Sequence, residues 1–209
     1  MKTDKETHAT WNKLAEVYAE KFMDQTLYLE SIVAFCNLLP SSPRILELGC
    51  GPGNVTRILF DQCENPSILA TDYAPSMVAL TQKNNPAAKT QVLDCRKMNQ
   101  LPNAYHGILS GFTLPYLTTQ EASDFIADCS KKLLPNGKLY LSYVPGNPAD
   151  SGYITNGSGD RVLFNYHTAE SLQAQMHTNK LNLETTFTVL FPRGEDTEEH
   201  HILIATKMP

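Results

Sequence analysis

Glu47, Asp72 and Asp94 each close a short apolar run in this 209-residue chain, and Gly49, Gly51 and Gly53 follow the first of them at every second position. A glycine-rich turn between a strand and a helix lets backbone approach a ligand closely. The spacing is GxGxG: a dinucleotide loop needs its third glycine where Asn54 stands, and a phosphate-binding loop needs a GK[ST] that is absent. A carboxylate at Asp72 can accept both hydroxyl protons of a ribose, and one at Asp94 can accept from an exocyclic amine. Pro52 stiffens a turn that presents backbone to a ligand.

Other candidate chemistry is weaker. Glu198-Glu199-His200-His201 has ligand-type side chains, but neighbours on a strand point to opposite faces, so no metal site is expected and a solvated strand entry is. Arg96 beside Cys95 could activate a thiol, although packing against a ligand is the reading favoured for Cys95. The five cysteines are odd in number and far apart, with no CxxC, so free, mostly buried thiols are expected. A polar amino terminus without an apolar leader segment, and no long apolar run, predict a cytoplasmic protein that does not enter a membrane. With a net charge of −5 and scattered Lys and Arg, nucleic acid is not an expected partner.

The elements that must carry these residues alternate. Apolar stripes at helical spacing predict helices over 6–22 (Trp11, Leu14, Ala15, Tyr18, Phe22) and 27–39. Strand-like runs follow at 45–48, 67–71, 90–93, 107–110 and 139–144, with helical patterns between several of them, which is the order of a parallel sheet with crossover helices. Pro75 suits the first turn of a helix, Thr118 and Glu121 form a capping box, and Pro135-Asn136-Gly137 reads as a turn. Residues 145–166, rich in Gly, Pro, Asn and Ser, read as a loop or lid insertion. A helix over 168–178 and strands over 183–191 and 202–206, joined by a hairpin, predict an antiparallel edge. In a doubly wound sheet ligands bind outside the carboxyl ends of the strands, so the glycine loop, Asp72 and Asp94 would face one crevice in order.

These residues resemble the class I S-adenosylmethionine-dependent methyltransferases, particularly the small-molecule type. ILELGCGPGN, LATDYAPSMV, VLDC, GILSGFTLPYL and LLPNGKLYLSYV match the family's five motifs in order over 44–144, and WNKLAEVYAEKF looks like the amino-terminal helix that closes over the cofactor. One departure is Tyr105-His106, where the family commonly carries Asp. The resemblance implies a Rossmann-like α/β fold: a doubly wound, seven-stranded, mostly parallel sheet with its last strand antiparallel, and an amino-terminal helical cap. That divides the chain into a cap, 1–40, and a core, 41–209. The resemblance also assigns roles. Glu47 and the backbone of Gly49, Cys50 and Gly51, in the loop that Gly53 closes, would hold the methionine end, with Tyr18 reaching its carboxylate. Asp72 would hold the ribose, Asp94 and the Cys95 N–H the adenine, and Tyr73 and Met77 would pack beside the adenosine. Ser110 and Gly111 would lie near the sulfonium.

The expected reaction is in-line displacement of the methyl group onto a small-molecule acceptor, leaving S-adenosylhomocysteine. Proximity supplies much of the acceleration, and the protein must add a deprotonated nucleophile and a dry site. Candidate bases or orienting groups are His167, Tyr166, Tyr153 and Tyr116, although a single His outside any motif is more often structural. The other readings are a non-catalytic S-adenosylmethionine-binding module and an NAD-dependent oxidoreductase; the missing third glycine argues against the latter. The acceptor, and whether the chain is a monomer or a homodimer, are not encoded in any motif.

Overall fold

The computed structural model describes residues 5–209, so the first four residues of the expected cap lie outside it. The chain begins with α1 (Lys5–Lys13) and α2 (Ala15–Phe22), followed by α3 (Leu29–Asn37). The single helix expected over 6–22 therefore bends at Leu14 (φ −90, ψ 6), with hydrogen bonds from Leu14 N to Thr10 O and from Tyr18 N to Leu14 O carrying the chain across. Each half follows a different support: α1 lies on a hairpin described below, and α2 packs Ala15 and Tyr18 into a cluster with Met77 and Leu80. Alternating elements follow: β1 (Arg44–Leu48), α4 (Asn54–Gln62), β2 (Ser67–Asp72), α5 (Pro75–Asn84), β3 (Lys89–Val92), β4 (Tyr105–Gly111), α6 (Thr119–Lys132) and β5 (Leu133–Tyr143). The chain then forms β6 (Gly152–Thr155), β7 (Arg161–Phe164), α7 (Ala169–Thr178), β8 (Leu181–Arg193) and β9 (Asp196–Lys207).

Seven strands make one sheet in the order β3-β2-β1-β4-β5-β9-β8. The first five run parallel, and β9, the last strand of the chain, is antiparallel to both of its neighbours. Side chains alternate between two buried faces. Ile45, Leu109, Tyr140 and Ile204 pack against Ile32 and Phe35 of α3 and Leu59 of α4, whereas Leu46, Ile108, Leu141 and Leu203 pack against Phe125 and Ile126 of α6 and Leu172 and Met176 of α7. Burial on both faces explains why the strands read as continuous apolar runs. It also moves α3 out of the expected cap: Ile32 and Phe35 are fully buried against the sheet.

Local chemistry sets most boundaries. Thr118 accepts from the Glu121 N–H while the Glu121 carboxylate accepts from the Thr118 N–H, Pro75 opens α5, and Thr168 caps α7. Pro135-Asn136-Gly137 does not separate a helix from a strand as expected. It lies inside β5 as a bulge, with Asn136 at φ +64 and the pairing shifting between Tyr105↔Leu133 and Gly107↔Lys138.

The 145–166 segment is also more ordered than its composition suggests. Its central part is the β6–β7 hairpin, which grips α1: Arg161 pairs with Glu6 at 2.8 Å, Lys13 with Asp160 at 2.7 Å, the Thr10 hydroxyl donates to Arg161 O, and Leu163 N donates to the Thr7 hydroxyl. The polar residues that signalled a loop are its turn and its partners for α1. Register places the site. Leu48 pairs with Thr71 on one side and Ser110 on the other, so Gly49, Asp72 and Gly111 stand level at the carboxyl edge of the sheet.

Phe35 seals the α3 layer. Phe35→Ala should lower unfolding stability by about 3–5 kcal/mol, read as a drop in urea midpoint without a change in slope.

Candidate functional site

The β1–α4 loop turns through three left-handed glycines, with φ +73 at Gly49, +55 at Gly51 and +92 at Gly53. Two of these positions also lack room for a side chain: a Cβ on Gly49 would sit 2.4 Å from Thr113 Oγ1, and one on Gly53 would sit 2.3 Å from Asn85 Nδ2 and 3.1 Å from Thr81 Cα. The loop is tied to β2. Gly49 N and Cys50 N both donate to Thr71 O, at 2.8 and 2.9 Å, and Gly51 N donates to Asp72 Oδ2 at 3.1 Å. The N–H groups expected to hold a ligand are therefore already engaged within the protein. Gly49 and Gly51 still line a cavity, while Cys50 and Gly53 lie behind it, the Cys50 thiol accepting from Thr81 Oγ1.

This cavity is a partly open cleft with about 120 Å³ of interior space. Gly49, Gly51 and Gly111 form its floor at the strand ends, and Asp72, Tyr73 and Met77 form one wall. Leu93, Asp94, Cys95 and Arg96 form the far end, and Thr7, Trp11 and Tyr18 from α1 and α2, with Leu163 from β7, form the roof. Phe112, Thr113, Tyr116 and Leu117, in the segment after β4, close the remaining side.

Asp72 is the polar centre. Its Oδ1 accepts from Ala74 N at 2.8 Å and its Oδ2 from Gly51 N at 3.1 Å. A carboxylate has about four lone-pair sites, and with the Tyr73 N–H as a third backbone donor it is held in one orientation with acceptor capacity to spare. Burial pushes its pKa up, against the pull of those backbone bonds. Above it, Trp11 meets Tyr18 and Tyr116 edge-on, at 5.5 and 5.7 Å between ring centroids, with its buried Nε1–H bearing on the Tyr116 hydroxyl. Burial, then the Asp72 charge, pushes Tyr18 up to about 12, so its hydroxyl keeps its proton and can donate to an anionic group.

Several expected residues are placed elsewhere. Glu47 is buried beneath the loop, accepting from Thr56 Oγ1 at 2.6 Å, outside the cavity lining. Burial pushes it up to about 8, so at neutral pH it is mostly a neutral acid rather than a charged anchor. Ser110 is buried with its hydroxyl unpartnered, and it is the next residue, Gly111, that lines the cavity. Asp94 does line it, but Arg96 engages both carboxylate oxygens, at 2.8 and 3.0 Å, and reaches on to Glu121 at 3.2 Å. Arg96 thus joins the lining as a residue whose spacing from Asp94 was visible and whose pairing was not. Cys95 is pushed up to about 12 by burial, with the Asp94 charge second, which removes the reactive-thiol reading.

The expected bases are corrected too. The His167 ring is buried, with Nε2 2.9 Å from Leu114 O, and its backbone bridges to Pro145, so it fastens the 145–166 segment to the core. Tyr166 packs its ring over Gly146 and beside Phe164. Tyr153 is exposed on the hairpin under the Arg161 guanidinium. Neither reaches the cavity lining. Tyr116 does, but burial raises its pKa well above the usual phenol value, so it is a poor proton acceptor.

Comparison with known proteins agrees with this architecture. Residues 45–137 match the family model described as a methyltransferase domain. Among curated relatives, a trans-aconitate 2-methyltransferase of Variovorax paradoxus is 34% identical over 109 residues, covering 52% of this chain and 41% of the relative. A malonyl-[acyl-carrier protein] O-methyltransferase of Anoxybacillus flavithermus is 28% identical over 146 residues, covering 68% and 50%. The chain thus spans half or less of the length of these relatives. Among solved structures, the 1,6-didemethyltoxoflavin-N1-methyltransferase of Burkholderia thailandensis, with bound 1,6-didemethyltoxoflavin and S-adenosylhomocysteine, superposes with TM-score 0.73 at 14% identity, over 98% of this chain and 88% of that one. A SAM-dependent methyltransferase from Methanosarcina mazei does so with TM-score 0.70 at 16% identity, over 82% and 95%. The chain shares the fold of these solved structures. Among the described residues no helix is long and apolar enough to cross a membrane, and no cluster of ligand side chains could hold a metal ion.

Glu47 gives the domain a pH signature. Its folded pKa, about 8, exceeds its ordinary value of 4.5. Between those values the folded state binds the extra proton, so stability is full below the window and falls as pH rises through it, by up to about 1.4 kcal/mol per unit. Glu47→Gln should flatten this decline in urea midpoints measured from pH 5 to 8.

Proposed function

We propose that this protein is a cytoplasmic enzyme that transfers the methyl group of S-adenosylmethionine to a small-molecule acceptor and releases S-adenosylhomocysteine. The observation that carries the reading is Asp72: a carboxylate at the end of β2, fixed by backbone N–H groups of Gly51, Tyr73 and Ala74, lining the cavity with acceptor capacity left for a ribose hydroxyl. The remaining lining fits the rest of the donor. Met77, Tyr73 and Leu93 give apolar faces for an adenine ring, the Tyr18 hydroxyl gives a donor for the amino-acid carboxylate, and Gly49 and Gly111 leave open floor beneath the sulfur. The bound sulfonium supplies an already activated methyl group. The protein's share is alignment and exclusion of water, which the aromatic roof provides.

A dinucleotide is a poorer fit. Pyrophosphate is held by free N–H groups of the glycine loop and the following helix start, and here the N–H groups of Gly49, Cys50 and Gly51 are taken by β2. Five free thiols suit a reducing compartment.

Trp11 is the only tryptophan and lines the cavity, so intrinsic fluorescence reads binding directly. S-adenosylhomocysteine should change its emission saturably, NAD should not, and Asp72→Ala should weaken binding about 10- to 100-fold, the worth of hydrogen bonds to a charged group. Absence of S-adenosylhomocysteine binding by calorimetry would defeat the reading. Incubation with methyl-labelled S-adenosylmethionine and a metabolite extract separates an enzyme from a binding module, since only the enzyme yields a labelled small product.

A further inference from the structure

Away from the cavity, two thiols meet where α3 crosses the end of α4. Cys36 lies in the last turn of α3, and α4 ends on Cys63, whose N–H still bonds to Leu59 O while its backbone is already extended (φ −94, ψ 142). Their Sγ atoms are 2.9 Å apart, about 0.9 Å longer than a disulfide bond of about 2.05 Å. Both are free thiols, buried in the layer where Ile32 and Phe35 of α3 meet Leu59 of α4. Each precedes the start of a strand, β1 or β2, so the pair stands at the amino edge of the sheet, opposite the cavity.

The backbone around the pair is held from both sides. Ser42 N donates to Glu64 O at 2.9 Å, Ser67 N donates to Pro43 O at 2.8 Å, and the Ser41 hydroxyl donates to Glu64 Oε2 at 2.9 Å. The chain entering β1 is thus tied to the chain leaving α4, and two groups fixed in contact react with each other far faster than with a partner in solution. The contact also makes the sulfurs unequal. The hydrogen bond with Cys36 lowers the Cys63 pKa against the effect of burial, and the same contact pushes Cys36 up. The thiolate is the form that attacks an oxidant, so Cys63 reacts first. Cys63 keeps 9% of its surface exposed, an opening suited to a small molecule.

We propose that Cys36 and Cys63 form a reversible oxidation site, closed to a disulfide by a hydroperoxide and reopened by a small dithiol, and that the closed form locks the segment 36–63. The Cys63 thiolate attacks one peroxide oxygen. The O–O bond breaks with its electron pair on the other oxygen, which takes up a proton and leaves as water or alcohol, and Cys63 becomes a sulfenic acid. Cys36 then attacks the Cys63 sulfur, the S–S bond forms, and the displaced hydroxide leaves as water with the Cys36 proton. Two electrons pass from the sulfurs to the peroxide. The ring so closed contains β1, the glycine loop and α4. A bond across it restricts the unfolded chain and so raises stability. The inference holds whatever ligand the cavity takes.

The full chain, reduced with dithiothreitol and then freed of it, is treated with hydrogen peroxide, denatured and alkylated. Two of its five thiols should resist alkylation, the mass should fall by two hydrogen atoms with no oxygen added, and a peptide map should join the Cys36 peptide to the Cys63 peptide. The urea midpoint of the oxidised protein should rise by about 1 M, as expected for a ring of this size, and return when dithiothreitol is restored. Cys36→Ser should instead take up dimedone at Cys63 and show no rise. The comparison of oxidised with reduced wild type needs no variant, so a Cys36→Ser chain that fails to fold leaves the test intact. Five alkylatable thiols after peroxide, a bond mapped to any other pair, or a midpoint that does not rise with the bond in place would overturn the site.

Discussion

The hydrogen bonds that join the Asp72 carboxylate to Gly51 N and Ala74 N hold the rest of the site together. They fix the end of β2 to the loop after β1 and to the start of α5 at once, so the relative height of three segments is set by one side chain. With Thr71 O accepting from Gly49 and Cys50, the crossing from β1 to α4 has no freedom to open or slide. The left-handed glycines are the geometric condition for this: any side chain at Gly49 or Gly53 would strike Thr113 or Asn85 before the bonds could form.

From that anchor the site builds outward in layers of decreasing rigidity. Parallel pairing sets the floor, and α5 sets the adenosine wall through Met77. The roof comes from two separate stretches of the chain: α1 and α2 near the start, and β7 beyond β5. These meet through exposed ion pairs and two hydrogen bonds to backbone, contacts that individually stabilise by less than about 1 kcal/mol when solvated.

Much of this was readable in the sequence because it is local. Glycine spacing, apolar runs of strand length and the caps at Thr118 and Pro75 each depend on a few adjacent residues, and together they give strand order and the crevice. What escaped depends on facing and on distant partners. Ser110 and Gly111 are neighbours, yet only Gly111 reaches the cavity. Asp94 looked free until Arg96, two positions on, was seen to fold back onto it. Glu47 sits one step from the loop but on the face that α4 covers with Thr56. His200 read as part of a solvated charge run; its burial comes from Phe191 across the β8–β9 ladder and from Tyr28, a partner 172 positions away that no spacing rule connects to it.

The internal use of the loop's N–H groups bears on how binding is financed entropically. A loop that keeps its donors for the ligand must be ordered by the ligand and gives up part of its interaction energy to do so. Here Gly49, Cys50 and Gly51 are ordered by β2 when the chain folds, and what meets an incoming molecule is a finished surface. The rim, where α1 rests on the hairpin, is held by exposed ion pairs instead. The floor acts as a mould and the roof as a latch, so affinity at the floor is insulated from whatever motion admits the ligand.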